Sequence, residues 1–207
     1  MASRTTRTYA PRMAPADRRR QLLDAALAQI AEQGYASVTI EAIANRVGVT
    51  RPVVYSVFAN VDELLVTLLD RHEARTMVEV NKAVRDDGNG PGALIRNAMH
   101  EFLSSIHASP DGWRVVLQAE DSAAPEEVRR RNARGRAHVT GMLAEALRTS
   151  LGDAAADFDT EILAEVVVTL AHRGGSLMLE DPERYPLERM LGMVEGLATS
   201  VTELAAA

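Results

Sequence analysis

The sequence predicts an all-α protein of about nine helices, with a three-helix head at the N-terminus and a larger helical body behind it. Three observations predict this. Apolar residues recur at three- and four-residue spacings along most of the chain. The segments so formed are punctuated by helix starts at Thr39, Thr50 and Asn60 and by helix stops at Gly34 and Gly48. No stretch of alternating β-branched residues is long enough to compete as a strand.

The elements follow in order. Residues 1–15 (MASRTTRTYAPRMAP) are polar, hold two prolines and lack an apolar period, so a disordered arm is expected there. From Asp17 onward, Leu22, Leu23, Ala26, Leu27 and Ile30 build one apolar stripe that ends at Gly34. Thr39 caps a two-turn helix carrying Ile40, Ile43, Ala44 and Val47, closed by Gly48. Thr50 caps the next helix, with Pro52 in the first turn, where its missing N–H is tolerated. Val54, Val57 and Phe58 form that helix's inward face. Asn60 with Glu63 makes a capping-box pattern, asparagine replacing serine or threonine, and opens a helix through Leu64, Leu65, Leu68 and Leu69 to about Val84. Beyond the loop at 86–92, Leu94, Ile95, Met99, Phe102, Leu103 and Ile106 stripe another helix. Residues Trp113 to Leu117 form a short segment after a turn at Pro110-Asp111-Gly112. Pro125 opens a long helix to about Ser150, and residues 160–179 and 187–204 give two more. The organisation expected is an arm at 1–15, a head at 16–60 and a body at 61–207.

Composition excludes several classes. The chain has 207 residues and a mass of 22.5 kDa, with no cysteine. A disulfide framework, a cysteine-ligated metal and a thiol nucleophile are therefore out. No apolar run approaches the ~20 residues of a membrane helix. The N-terminal arginines have no apolar stretch behind them, so no secretory signal is read. A cytoplasmic protein without a membrane partner is the expectation. The net charge of -6 argues against nucleic acid only if it is evenly spread. It is not. Residues 1–60 carry eight arginines against four acidic residues, a net of +4, which leaves -10 for residues 61–207. A basic head on an acidic body points to nucleic-acid contact. A solvated, arginine-rich tail gives the same arithmetic.

Two short helices joined by the tight turn Val47-Gly48-Val49-Thr50 make a helix-turn-helix. A helix about ten ångströms across fits the DNA major groove, and its N-terminal residues meet base edges. The run Gly34-Tyr35, Val38-Thr39-Ile40, Ile43-Ala44, Val47-Gly48-Val49-Thr50-Arg51, Val54-Tyr55, Phe58 and Asp62-Glu63-Leu64-Leu65 resembles the DNA-binding head of TetR-family transcriptional repressors. The resemblance covers roughly residues 18–65; beyond them only length and helix pattern agree. It implies that Thr39 contacts a phosphate and that Thr50, Arg51, Pro52 and Val53 lie toward the groove from the start of the recognition helix. Arg51 is the candidate for bidentate reading of a guanine. Tyr55 would bond a phosphate, and Phe58 would be core. Thr39 and Thr50 are good N-caps with or without DNA, so both readings stay open. Two positions depart from the family pattern: Val57 replaces the usual histidine and Val61 the usual lysine. Both positions contact phosphate in the family, and each lost contact removes roughly one unit from the salt slope of binding. The arm is expected to compensate, with Arg4, Arg7 and Arg12 reaching phosphates or the minor groove and Arg18, Arg19 and Arg20 flanking the backbone.

The body carries the remaining expectations. A short head reads few base pairs, so the resemblance implies a homodimer on a palindromic double-stranded operator. Gly192, Gly196 and Ser200 make a smooth stripe on the last helix, and Ala164, Val168, Ala171 and Gly175 another on the helix before it. Close packing between subunits or within one explains either stripe. The resemblance further implies a small, largely apolar effector of unknown identity in the body. By periodicity its candidate lining is Met99, Phe102, Leu103, Trp113 and Leu117, with His138, Met142, His172 and Met178, each equally readable as plain core. No cofactor is called for. The five histidines, His72, His100, His107, His138 and His172, fall in no metal-binding or phosphate-loop motif. The reading is a ligand-responsive transcriptional repressor. The alternatives are an effector-independent helix-turn-helix protein and an all-α enzyme.

Overall fold

The computed structural model describes residues 13–84, 89–120 and 123–205. Arg4, Arg7 and Arg12 of the arm lie outside them. Nine α-helices occur among the described residues, and no strand. The head begins with α1 (Pro15–Gln33), turns through a short 3-10 segment at Tyr35–Ser37, and continues with α2 (Ile40–Val47) and α3 (Arg51–Tyr55). The helix α4 (Val61–Ala83) leads into the body, which adds α5 (Pro91–Ala108), α6 (Pro110–Leu117), α7 (Glu126–Leu151), α8 (Thr160–Glu180) and α9 (Leu187–Ala205).

The head's core is the stripe read from the sequence. Leu22, Ala26 and Ile30 of α1 close on Ile43 and Ala44 of α2, Val54 of α3 and Phe58, all buried. Full burial of each large side chain contributes roughly 1.5–3 kcal/mol. The Thr39 hydroxyl accepts from the Ala42 N–H at 3.0 Å, capping α2. Gly48 ends α2 at φ 74° and ψ 35°, a left-handed conformation that glycine adopts without a Cβ clash. Thr50 holds the N-cap position of α3, but its side chain makes no capping hydrogen bond. The helix stops at Tyr55, so Val57 lies in the following turn rather than on the helix. The capping box of α4 is shifted by one residue. The Glu63 N–H donates to Asn60 Oδ1 at 2.8 Å, and Glu63 Oε2 accepts from the Ala59 N–H at 2.6 Å instead of from Asn60.

Side chains from α1 fasten the head to α4. Arg71 Nη1 reaches Asp24 Oδ1 at 2.7 Å. Arg19 Nη2 donates to Thr67 Oγ1 at 3.2 Å while its guanidinium lies 4.6 Å from the centre of the Phe58 ring. Tyr35 ties the head to the body: its buried hydroxyl donates to the Val115 carbonyl of α6 at 2.5 Å, and burial pushes the phenol well above its ordinary range.

Within the body α5 packs against α4, α7, α8 and α9. The Pro110-Asp111-Gly112 sequence, expected as a turn, is instead the first turn of α6, because proline is tolerated there. A Cβ at Gly112 would meet His72 Nδ1 at 2.7 Å, so α6 needs glycine to sit against α4. The expectation that no apolar run approaches a membrane span is corrected by α8. Over Thr160–Glu180 this helix is long and apolar enough to qualify, with a mean hydropathy of 1.4. Its apolar character has a structural reason. One face, with Ala164, Val168 and Ala171, is buried in the body. The other exposes Ile162 (63%), Val166 (49%) and Leu170 (41%) at four-residue spacing.

Candidate nucleic-acid interface and ligand cavity

The start of α3 gathers the residues expected to face DNA. Thr39, Thr50, Arg51 and Pro52 are exposed, Tyr55 is 48% exposed and Val53 is partly so. Val54, one position along, is fully buried and anchors α3 to the head. The geometry therefore separates an inward anchor from an outward face within five residues.

The arginines of the described head differ in what holds them. Arg46 pairs with Glu32 and also donates to Gln29 Oε1 at 3.2 Å, bracing α2 against α1. That guanidinium holds the Glu32 carboxyl below its ordinary range. Arg18 bonds Gln21, and Arg20 lies 3.6 Å from Asp17. Arg19, expected to flank the DNA backbone, is instead turned onto Phe58 and Thr67. Among the arginines of the described head Arg51 alone has no side-chain partner. Val57 and Val61, the two departures from the family pattern, are partly buried and pack against the hydrophobic core. Their side chains serve packing where a basic residue would reach outward.

The body holds a half-open apolar cavity of about 60 Å³ between α4, α5, α7 and α8. Four of the expected lining residues meet there: Met99, Phe102, Trp113 and His172. Phe102 organises them, with its ring 4.8 Å from Trp113 edge-on and 5.7 Å from His172 in a stack. Leu117 lines an outer cleft of about 550 Å³ instead. Leu103 and Met178 are buried and Met142 partly so, but none borders these spaces. His138 faces outward, against the expectation from periodicity, because the stripe of α7 runs through Val128, Asn132, Val139 and Leu143.

The α8 stripe expected at a subunit interface is also corrected. Ala164 is fully buried within the chain, and Val168 and Ala171 line the cavity. A Cβ on Gly175 would meet Ile106 Cδ1 at 2.5 Å, so this glycine lets α8 approach α5 within one subunit. The α9 stripe differs. Gly192, Gly196 and Ser200 are exposed, and nothing lies within 4 Å of a Cβ built on either glycine. Met193 is exposed beside them.

His172 borders the inner cavity and the outer cleft at once. Its Nδ1 lies 3.3 Å from Glu120 Oε1, close but misaligned for an N–H donor. Arg136 Nη1 reaches the same oxygen at 3.0 Å. The adjacent imidazole, with help from Arg136 and against partial burial, holds the Glu120 carboxyl below its ordinary range. A second space of about 60 Å³ adjoins the first, sharing Val80, Phe102, Trp113, Val139 and His172. It is bordered by Asn132, Glu73 and Arg136, none of which the sequence reading singled out. Asn132 is the one polar member of an otherwise apolar stripe on α7, a signal present in the sequence but masked by its arginine-rich neighbours.

A helix-turn-helix head with an outward recognition face, set on an all-α body with an internal cavity, defines a class of DNA-binding transcriptional regulators. Residues 22–68 match the family described as bacterial regulatory proteins, tetR family. A TetR-like transcriptional regulator from Rhodococcus sp. RHA1 superposes with a TM-score of 0.72 at 22% identity, covering 93% of this chain and 99% of that one. A TetR-family regulator from Agrobacterium tumefaciens gives 0.69 at 15% identity, over 90% and 98%. The regulator FadR from Bacillus subtilis, solved in complex with stearoyl-CoA, gives 0.67 at 18% identity, over 86% and 96%. The match to the family is confined to the head, and head and body together have the fold of these regulators.

Proposed function

We propose that this protein is a homodimeric repressor that occupies a palindromic operator and is released by a small, largely apolar effector. Residues 16–60 read the DNA, and residues 61–207 bind the effector and the second subunit. The observation that carries the DNA reading is Arg51: exposed, unpartnered among the described residues, and at the start of a helix whose next turn is locked into the core. Thr50, Pro52 and Val53 extend the same face, with Thr39 and Tyr55 on flanking phosphates.

The dimer reading rests on α8 and α9. A second apolar stripe on a helix that already buries one is normally covered as well. The exposed stripe Ile162, Val166 and Leu170, with the smooth face of Gly192, Met193, Gly196 and Ser200, gives a second copy an apolar surface to cover. The effector reading rests on the apolar cavity, and the stearoyl-CoA complex of a protein with the same fold supports it. The cavity admits only a small group as it stands, so a larger ligand must part the helices around it.

The test is selection of bound DNA from a random pool. A palindrome bound by a dimer is expected, as is its release when an apolar ligand that stabilises the protein is added. Enrichment of no sequence, or binding by a monomer alone, would overturn the reading.

A further inference from the structure

We infer that the effector is a neutral molecule whose apolar body carries a carbonyl-type oxygen, and that Asn132 donates the hydrogen bond holding that oxygen. The inference rests on the proposed effector site and names what it recognises.

Asn132 is only 3% exposed, yet its amide nitrogen has no hydrogen-bond partner among the described residues. Buried polar groups are nearly always satisfied, so an unpaired one on a residue that borders a cavity points to a partner from outside the fold. Asn132 borders the inner space together with Met77, Phe102 and Val139, which are apolar. Two charged side chains also border it, and both are already paired. Glu73 is held by Arg131 at 2.6 Å, and Arg136 by Glu120 at 3.0 Å. A cationic ligand would have to compete with Arg131 for Glu73, and an anionic one with Glu120 for Arg136. Two groups stay unmet beside the space, His172 Nδ1 and Asn132 Nδ2; the second is a neutral amide donor, whose complement is a neutral acceptor oxygen. The adjoining apolar space, lined by Met99 and Leu143, takes the hydrocarbon part.

The position also explains how such a ligand would be felt by the head. Asn132 stands on α7 and Glu73 on α4, the helix that leads out of the head. A Cβ on Gly135 of α7 would meet Glu73 Oε1 at 2.7 Å, so the two helices are in close contact beside the space. A molecule bonded to Asn132 lies against α4, one of the helices that border this space.

The experiment uses three probes of one carbon count on the full chain: methyl hexyl ketone, octane and octanoate, followed by calorimetry and thermal shift. The ketone should bind about tenfold more tightly than either of the others, the ratio expected for one buried hydrogen bond. In Asn132→Leu the ketone should weaken about tenfold, to the level of octane, while octane is unaffected. Should that variant fail to fold, the wild-type side-chain amide signal of Asn132, followed in a nitrogen-edited proton spectrum, decides. The ketone should shift it and octane should not. Equal binding of ketone and octane, preference for octanoate, retention of the ketone preference in Asn132→Leu, or no binding of any probe would overturn the inference. Ketone and octane binding equally would leave an apolar effector standing, and operator selection judges the DNA reading independently of all three probes.

Discussion

Arg51 differs from the other arginines of the described head in having nothing to hold inside the protein. Arg46 braces α2 on α1, and Arg19 closes over Phe58, so replacing either would loosen the head itself. Replacing Arg51 removes only what it does outside. Arg51→Ala should weaken operator binding by ~1–3 kcal/mol and relax preference at one base position, with the melting temperature unchanged. Retained selectivity in a binding-site selection would refute the role. Glu120 offers a second test at this scale. Its carboxyl is held below the ordinary value of 4.5 by His172 and Arg136, so its extra stability is complete above that value and fades as pH falls through the lower folded one. The stability gap between the wild type and Glu120→Gln, measured by urea unfolding, should be fully present above about pH 4.5 and narrow below it. A gap independent of pH would show that the pairing contributes nothing. Single residues were legible in the sequence where the reason was local. Thr39 and Gly48 were read from rules about helix ends, and both act as read. His138 was expected inward and lies outward, because spacing along one helix does not say which neighbour covers it.

The same limit governs the elements. Nine helices and most of their ends followed from apolar period, caps and prolines, all properties of a few consecutive residues. Which stripe faces which partner did not follow. On α8 the small residues looked suited to a subunit interface, yet they are the ones packed inside: Gly175 against Ile106, and Val168 and Ala171 on the cavity. The opposite, larger residues are the exposed ones. Period alone cannot separate two apolar faces of one helix, and α8 has two. Val166→Asp should therefore split the proposed dimer without unfolding the subunit, because Val166 is 49% exposed in the single chain. Sedimentation should report a monomer with unchanged helical circular dichroism. A dimer that survives Val166→Asp paired with Leu170→Asp would place the interface elsewhere. The cavity was partly legible for a related reason. Phe102, Trp113 and His172 come from three different helices, and no sequence spacing records that their rings meet.

At the scale of the molecule, the net charge of -6 conceals a division of labour between a basic head and an acidic body. In the proposed function DNA would repel the body and attract the head, orienting the protein before any base is read. The proposed effector would then act on the head through contacts that join the two parts. Two such contacts are built in: α4, which starts at the head and borders the cavity through Val80, and the buried bond from Tyr35 to the Val115 carbonyl of α6. The second joins the turn after α1 to the helix that carries Trp113. Coupling is a free energy shared between sites, so weakening a joint reduces it while leaving each site's own contacts in place. Tyr35→Phe removes the hydroxyl and leaves a buried carbonyl unpaired, a loss of about 1–3 kcal/mol in stability. Neither the recognition face of α3 nor the cavity lining is touched by that change. Operator affinity without ligand, and ligand affinity without DNA, should each stay within about threefold of the wild type, well under the 1.4 kcal/mol that a tenfold change represents. The factor by which ligand lowers operator affinity should shrink. Measuring all four affinities closes the cycle. An unchanged coupling factor would assign the transmission to α4 alone, and a loss of operator affinity without ligand would show that Tyr35 sets the pose of the head rather than its communication with the body.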